Sequence, residues 1–155
     1  MENQVNEITE IMNTIVQIGI VMPDMDKVIK GMRDTMGLEP DSVDDYVYDA
    51  RYRGNVQQAP AKIAFYNFFN VQLEFIVPTG DIDTVWSDYL KLGQYGLHHI
   101  RFDVPDNDDM TARLAKRGVV IWMEGDSIVT PGAKFTYYDT LDRLGFILEA
   151  VTKAK

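Results

Sequence analysis

Apolar residues change period repeatedly along this chain, and each change marks an element. Ile8, Ile11, Met12 and Ile15 fall at i, i+3, i+4 and i+7, which predicts an amphipathic helical extension over residues 1–13. From Ile15 to Met22 the run Ile-Val-Gln-Ile-Gly-Ile-Val-Met reads as a strand, ended by Pro23-Asp24. Asp24 is a good N-cap, and Met25, Val28, Ile29, Met32 and Met36 then keep helical spacing up to Gly37. Residues 43–52 alternate loosely as a strand before the turn Arg53-Gly54-Asn55. Residues 62–69 and 71–77 read as a hairpin pair around Asn70, closed by Pro78-Thr79-Gly80. A helix over 82–92 follows, with Val85, Tyr89 and Leu92 inward and Gly93 as its stop.

The pattern then restarts. Leu97 to Val104 is a strand ended by Pro105-Asp106, and Met110, Leu114 and Arg117 lie on a helix stopped by Gly118. Strand-like runs come at 119–123, 134–139 and 146–151. The Pro-Asp helix start recurs after both first strands, and Leu73-Glu74 near one end answers Leu148-Glu149 near the other. The chain therefore divides into an extension (1–13), a first βαβββ module (14–80), a linking helix (81–95) and a second βαβββ module (96–155), an α+β fold.

Strand parity selects the candidate chemistry. Val16, Ile18 and Ile20 suit a helix-packed face, which places Gln17, Gly19 and Val21 on the other. In the repeat His98, Ile100, Phe102 and Val104 take the helix-packed face, opposite His99, Arg101 and Asp103. Gln72, Glu74 and Ile76 share a face, as do Ile147, Glu149 and Val151. Gln17 with His99, and Glu74 with Glu149, thus occupy equivalent places in the two halves. Glu74 and Glu149 sit in otherwise apolar runs, where a buried carboxylate is costly unless paired or bound to a cation.

Composition narrows the alternatives. The 155 residues carry 24 acidic and 15 basic side chains, a formal charge of −9, with no compensating basic stripe. That balance repels a nucleic-acid backbone. No apolar run approaches the ~20 residues that span a bilayer, and the first residues lack the features of a secretory signal, so a cytoplasmic protein away from membranes is expected. The absence of cysteine excludes disulfides, thiolate nucleophiles and iron–sulfur clusters, and only two histidines remain for site building.

The segments QIGIVMPDMD, VQLEFIVP, GLHHIRFDVPD and FTYYDTLDRLGFILEAV resemble the vicinal oxygen chelate superfamily, from about Ile15 to Val151. That group includes glyoxalase I, methylmalonyl-CoA epimerase, bleomycin-resistance proteins and ring-cleaving dioxygenases. The resemblance implies two paired βαβββ modules forming a cupped, barrel-like mixed sheet around a divalent metal, often in a dimer. By motif it places the metal ligands at Gln17, Glu74, His99 and Glu149, the four positions parity selects. Gln17 departs from the histidine that most metal-binding relatives carry there. One nitrogen and three oxygens suit one divalent ion per site among zinc, cobalt, manganese, nickel and magnesium. No further cofactor is implied.

The resemblance further implies a glyoxalase- or epimerase-like isomerase or lyase that moves a proton on a carbon next to a carbonyl, with a small carbonyl or thioester substrate. Glu149 is the first choice of base and Glu74 the second, facing it across the metal; Glu124 and Asp103 lack motif support. Tyr66, Phe68, Trp122 and Tyr137 are candidate pocket walls. Ring cleavage needs two histidines on one face of iron, whereas His98 and His99, as strand neighbours, should point oppositely. The competing reading is a metal-free binding or sequestering protein of the bleomycin-resistance type. A homodimer is expected, partly because an open cup would leave sheet edges exposed.

Overall fold

The structure, a computed structural model, describes residues 7–152. Its elements run β1 (Ile15–Val21), α1 (Met25–Met36), β2 (Ser42–Tyr52), β3 (Asn55–Asn67), β4 (Gln72–Pro78), α2 (Val85–Lys91), β5 (Gly96–Val104), α3 (Asn107–Ala115), β6 (Ile121–Asp126), β7 (Lys134–Tyr138), α4 (Leu141–Leu144) and β8 (Ile147–Thr152). The two Pro-Asp signals build matching helix starts. Asp24 accepts from the backbone N–H groups of Asp26 and Lys27, and Asp106 from those of Asp108 and Asp109. Gly37, with φ of 69°, supplies the left-handed residue that ends α1.

The eight strands close into one barrel in the order β1-β4-β3-β2-β6-β7-β8-β5, which reads alike from either end. β1 pairs parallel with β4, and β5 parallel with β8; the other pairs are antiparallel, with β1–β5 and β2–β6 stitching the halves together. Closure removes the sheet edges among the described strands. The edge argument for a dimer therefore fails.

Parity decides the packing. Ile20 and Leu73 face outward with Phe75 and Ala64 beneath Met25 and Val28 of α1. Phe102, Val104 and Leu148 pack outside the barrel against Met110 and Leu114 of α3. Val21, Ile63, Ile76, Ile147 and Val151 fill the interior together with Val85, Trp86 and Tyr89 of α2.

Several expectations are corrected. Residues 7–11 form a single turn, not a helix, closed by Met12 N–H to the Ile8 carbonyl at 2.8 Å; residues 1–6 lie outside the described residues. So short a segment cannot sustain a helix by itself. Ile8, Ile11 and Met12 instead cover the α3 cluster. β3 begins at Asn55 rather than 62, because the small residues Ala59 and Ala61, both fully buried, occupy the crowded interior where bulk is expected from a strand pattern. In α2, Trp86 is buried and Leu92, at 60% exposure, is not.

Candidate functional site

Gln17, Glu74, His99 and Glu149 are all buried. Register brings them together: Gly19 pairs with both Glu74 and His99, Gln17 with Gln72 and Arg101, and Arg101 in turn with Glu149. The His99 Nε2 lies 3.2 Å from Glu74 Oε2 and 3.2 Å from Glu149 Oε2. One donor atom from each of these three residues falls within 4.8 Å of the others. Gln17 lines the same cavity, and its amide nitrogen donates to Gln72 Oε1 at 2.6 Å, which commits the nitrogen and leaves the carbonyl oxygen as its ligand end.

Gly19 makes room for the imidazole. A Cβ built there would stand 1.8 Å from His99 Cε1, so any other residue in that place would displace the ring.

His98 departs from the strand-neighbour expectation. The β1–β5 register shifts between Gly19 and Ile20, which pair with His99 and Leu97 and leave His98 as an extra residue in a bulge. Its Nδ1 meets His99 Nδ1 at 2.9 Å, and its Nε2 meets the Val85 carbonyl at 3.1 Å. The carbonyl can only accept, so His98 Nε2 carries the hydrogen and His98 Nδ1 accepts from His99 Nδ1–H. That chain leaves His99 Nε2 as the lone-pair end toward the carboxylates when the ring is neutral. Both His98 nitrogens are engaged, so the two histidines meet without both being available to one ion.

The electrostatics describe a site with surplus negative charge. Burial alone would lower His99, but the Glu149 and Glu74 carboxylates outweigh it and hold the imidazole at about 9. Burial and the neighbouring Glu149 raise Glu74 above the usual carboxylate range, against the pull of His99. Burial and the charge of His99 push His98 well below an ordinary histidine, which keeps it neutral.

The residues present fit a divalent cation. Glu74 Oε2, His99 Nε2 and Glu149 Oε2 are buried atoms without a hydrogen-bond partner of good geometry, and they converge. Ligands held ~2.1 Å from a four- or six-coordinate ion stand ~3.0–3.4 Å from each other. The 3.2 Å separations match that spacing.

A cavity of about 300 Å³ opens onto this cluster. Tyr137 is among its walls, as expected, but the other aromatic walls are Tyr48, Phe65, Trp86 and Phe135. Tyr66 instead packs beneath α1, and Trp122 donates to Asp88 beside a separate surface groove. Phe68 is not among the lining residues. Strand parity within β2 and β7 could have exposed Tyr48 and Phe135; nothing local signals Trp86, which comes from α2. Asp103 and Arg101 also line the cavity, whereas Glu124 pairs with Lys134 at 3.2 Å.

A closed barrel of two βαβββ repeats, with donors from the first and last strand of each repeat turned inward, defines the architectural class. The sequence profile of the Glyoxalase/Bleomycin resistance protein/Dioxygenase superfamily matches residues 16–137, and the chain belongs to that superfamily. Among solved structures it is similar to Streptomyces coelicolor methylmalonyl-CoA epimerase in complex with 2-nitronate-propionyl-CoA, at 23% identity and a TM-score of 0.66, covering 92% of this chain and 96% of that one. It is also similar to hypothetical protein BH1468 from Bacillus halodurans C-125, at 17% identity and a TM-score of 0.68 over 92% and 95% of the two chains. Methylmalonyl-CoA epimerase from Mycobacterium tuberculosis aligns at 17% identity with a TM-score of 0.66 over 94% and 91%. At these identities the likeness is one of fold. Among curated proteins none matches the chain. No helix among the described residues is long and apolar enough to cross a membrane.

Proposed function

We propose that this chain is a divalent-metal-dependent isomerase, epimerase or lyase that moves a proton on a carbon next to a carbonyl, with Gln17, Glu74, His99 and Glu149 holding the ion. The carrying observation is the convergence of three buried, otherwise unsatisfied donor atoms at metal-ligand spacing. A bound divalent ion supplies a Lewis acid that stabilises negative charge developing on the substrate carbonyl oxygen. Glu149, leaving the ion as substrate binds, removes the proton from the adjacent carbon, and Glu74, on the opposite repeat, is the second choice of base for returning one. His98 holds His99 in the tautomer that offers Nε2. Tyr137, Trp86, Phe65 and Phe135 restrict water around the reacting carbon. The carbonyl or thioester substrates of the resemblance fit this chemistry, and we read the protein as homodimeric on the same resemblance.

Gln17 favours a second reading, since its nitrogen is held by Gln72 and only its amide oxygen can meet an ion. A lone amide oxygen, where an imidazole would bind more strongly, suits a metal-free binding protein of the bleomycin-resistance type. The test is solvent deuterium uptake by candidate thioesters and hemithioacetals. Metal-loaded protein should catalyse uptake, and Glu149→Gln should abolish it with the fold intact by circular dichroism. Full activity in that variant removes Glu149 as the base; no uptake by the parent protein favours the binder.

A further inference from the structure

We propose that Arg101 is an anion-recognition residue of the cavity, and that the substrate is a small free oxo acid whose carboxylate meets this guanidinium. The inference rests on the metal-dependent proton-transfer reading and adds the substrate class to it. Among the described residues lining the cavity, Arg101 is the one that carries a permanent positive charge. It stands between Gln17 on β1 and Glu149 on β8 in the strand register, beside the proposed cation site. Neighbouring strands lie ~4.8 Å apart. A carboxylate on Arg101 and a carbonyl oxygen at the cation therefore belong to one short molecule.

The guanidinium is held but not saturated. Its Nε and Nη2 both donate to a single oxygen, Asp103 Oδ1, at 3.1 and 2.9 Å, and Nη1 takes part in neither bond. The parallel fork, in which two N–H groups meet two carboxylate oxygens, is the stronger arrangement, and an incoming carboxylate can form it. A divalent ion balances Glu74 and Glu149, which leaves Arg101 free of the task of neutralising them. Size agrees as well, because about 300 Å³ is at the small end of ligand sites, ~300–1,000 Å³. No other lysine or arginine among the described lining residues offers a seat for the phosphates of a nucleotide-bearing thioester.

The test uses the zinc-loaded full chain, with 2-oxobutyrate and its methyl ester as probes. Two quantities are read by NMR: the shift of the arginine Nε resonances on titration, and deuterium uptake at C3. The acid should bind at least about ten-fold more tightly than the ester and move an arginine Nε resonance that the ester leaves in place. Arg101→Met should reduce acid affinity to that of the ester. Equal affinity for acid and ester, or a preference that survives in Arg101→Met, overturns the proposal. If that variant fails to fold, the arginine Nε shift in the parent decides instead: a shift with the acid and not the ester supports the contact, and no shift with either overturns it. Preferential acid binding without deuterium uptake would keep the anion site and sink the proton-transfer reading. Uptake from the ester matching that from the acid would keep the chemistry and sink the anion site.

Discussion

The smallest side chain in the site sets its tightest constraint. Gly19 occupies the floor on which the His99 ring lies, and the 1.8 Å gap to a built Cβ leaves no relaxed way to add a methyl group. Gly19→Ala should destabilise the protein by ~1–3 kcal/mol, as overpacking does, and should lower metal affinity by pushing the imidazole off its line to the carboxylates. Thermal unfolding and metal titration of the variant check both effects. The four inward donors were legible residue by residue, because strand parity assigns a face without coordinates. Arg101 stood on the same face in the sequence, but only the cavity shows that it has a ligand-sized space before it. Gln72 was legible as a neighbour of Glu74 and not as the partner that holds Gln17.

At the scale of elements, the bulge in β5 turns a core histidine into an orienting one. Sequence spacing treats a strand as regular, so it places His98 and His99 on opposite faces and cannot foresee that their Nδ1 atoms meet. The bulge arises from pairing with β1, a long-range contact absent from local pattern. His98→Leu removes the acceptor for a buried His99 N–H. It should weaken metal binding by roughly 10–100-fold, the usual penalty for losing such an outer partner. Isothermal titration with zinc measures it, and unchanged affinity would reduce His98 to packing. The same limit of local reasoning explains α2, where Trp86 rather than Leu92 turns inward to the barrel. It also explains β3, whose buried alanines carry little apolar signal. The Pro-Asp helix starts, by contrast, are local devices read directly from four residues, and both form the caps their sequence specifies.

At the scale of the molecule, the two repeats were readable as order and punctuation, but closure was not. An open cup predicts free edges, whereas the β1–β5 and β2–β6 pairings seal the sheet within one chain. A closed barrel buries tyrosines, and Tyr138 gives that burial a pH signature away from the Glu74–His99–Glu149 cluster. Burial raises its phenol to about 12, with Thr111 hydrogen-bonded to it at 2.9 Å. The unfolded phenol ionises near ~10, so this contribution is intact below that pH and is lost as pH rises through the folded value. It amounts to about 2–3 kcal/mol. Tyr138→Phe should flatten the fall in stability between pH ~10 and ~12, as read by denaturant unfolding at each pH.

The proposed activity depends above all on a cation shared by the two repeats. Titrating chelator-treated protein with Co²⁺, and following its visible absorbance, tests this most directly. Under the proposed function, saturation is expected at about one ion per chain, with the band lost in His99→Ala. Absence of any cobalt band in the parent protein, or a band that persists unchanged without His99, would contradict it.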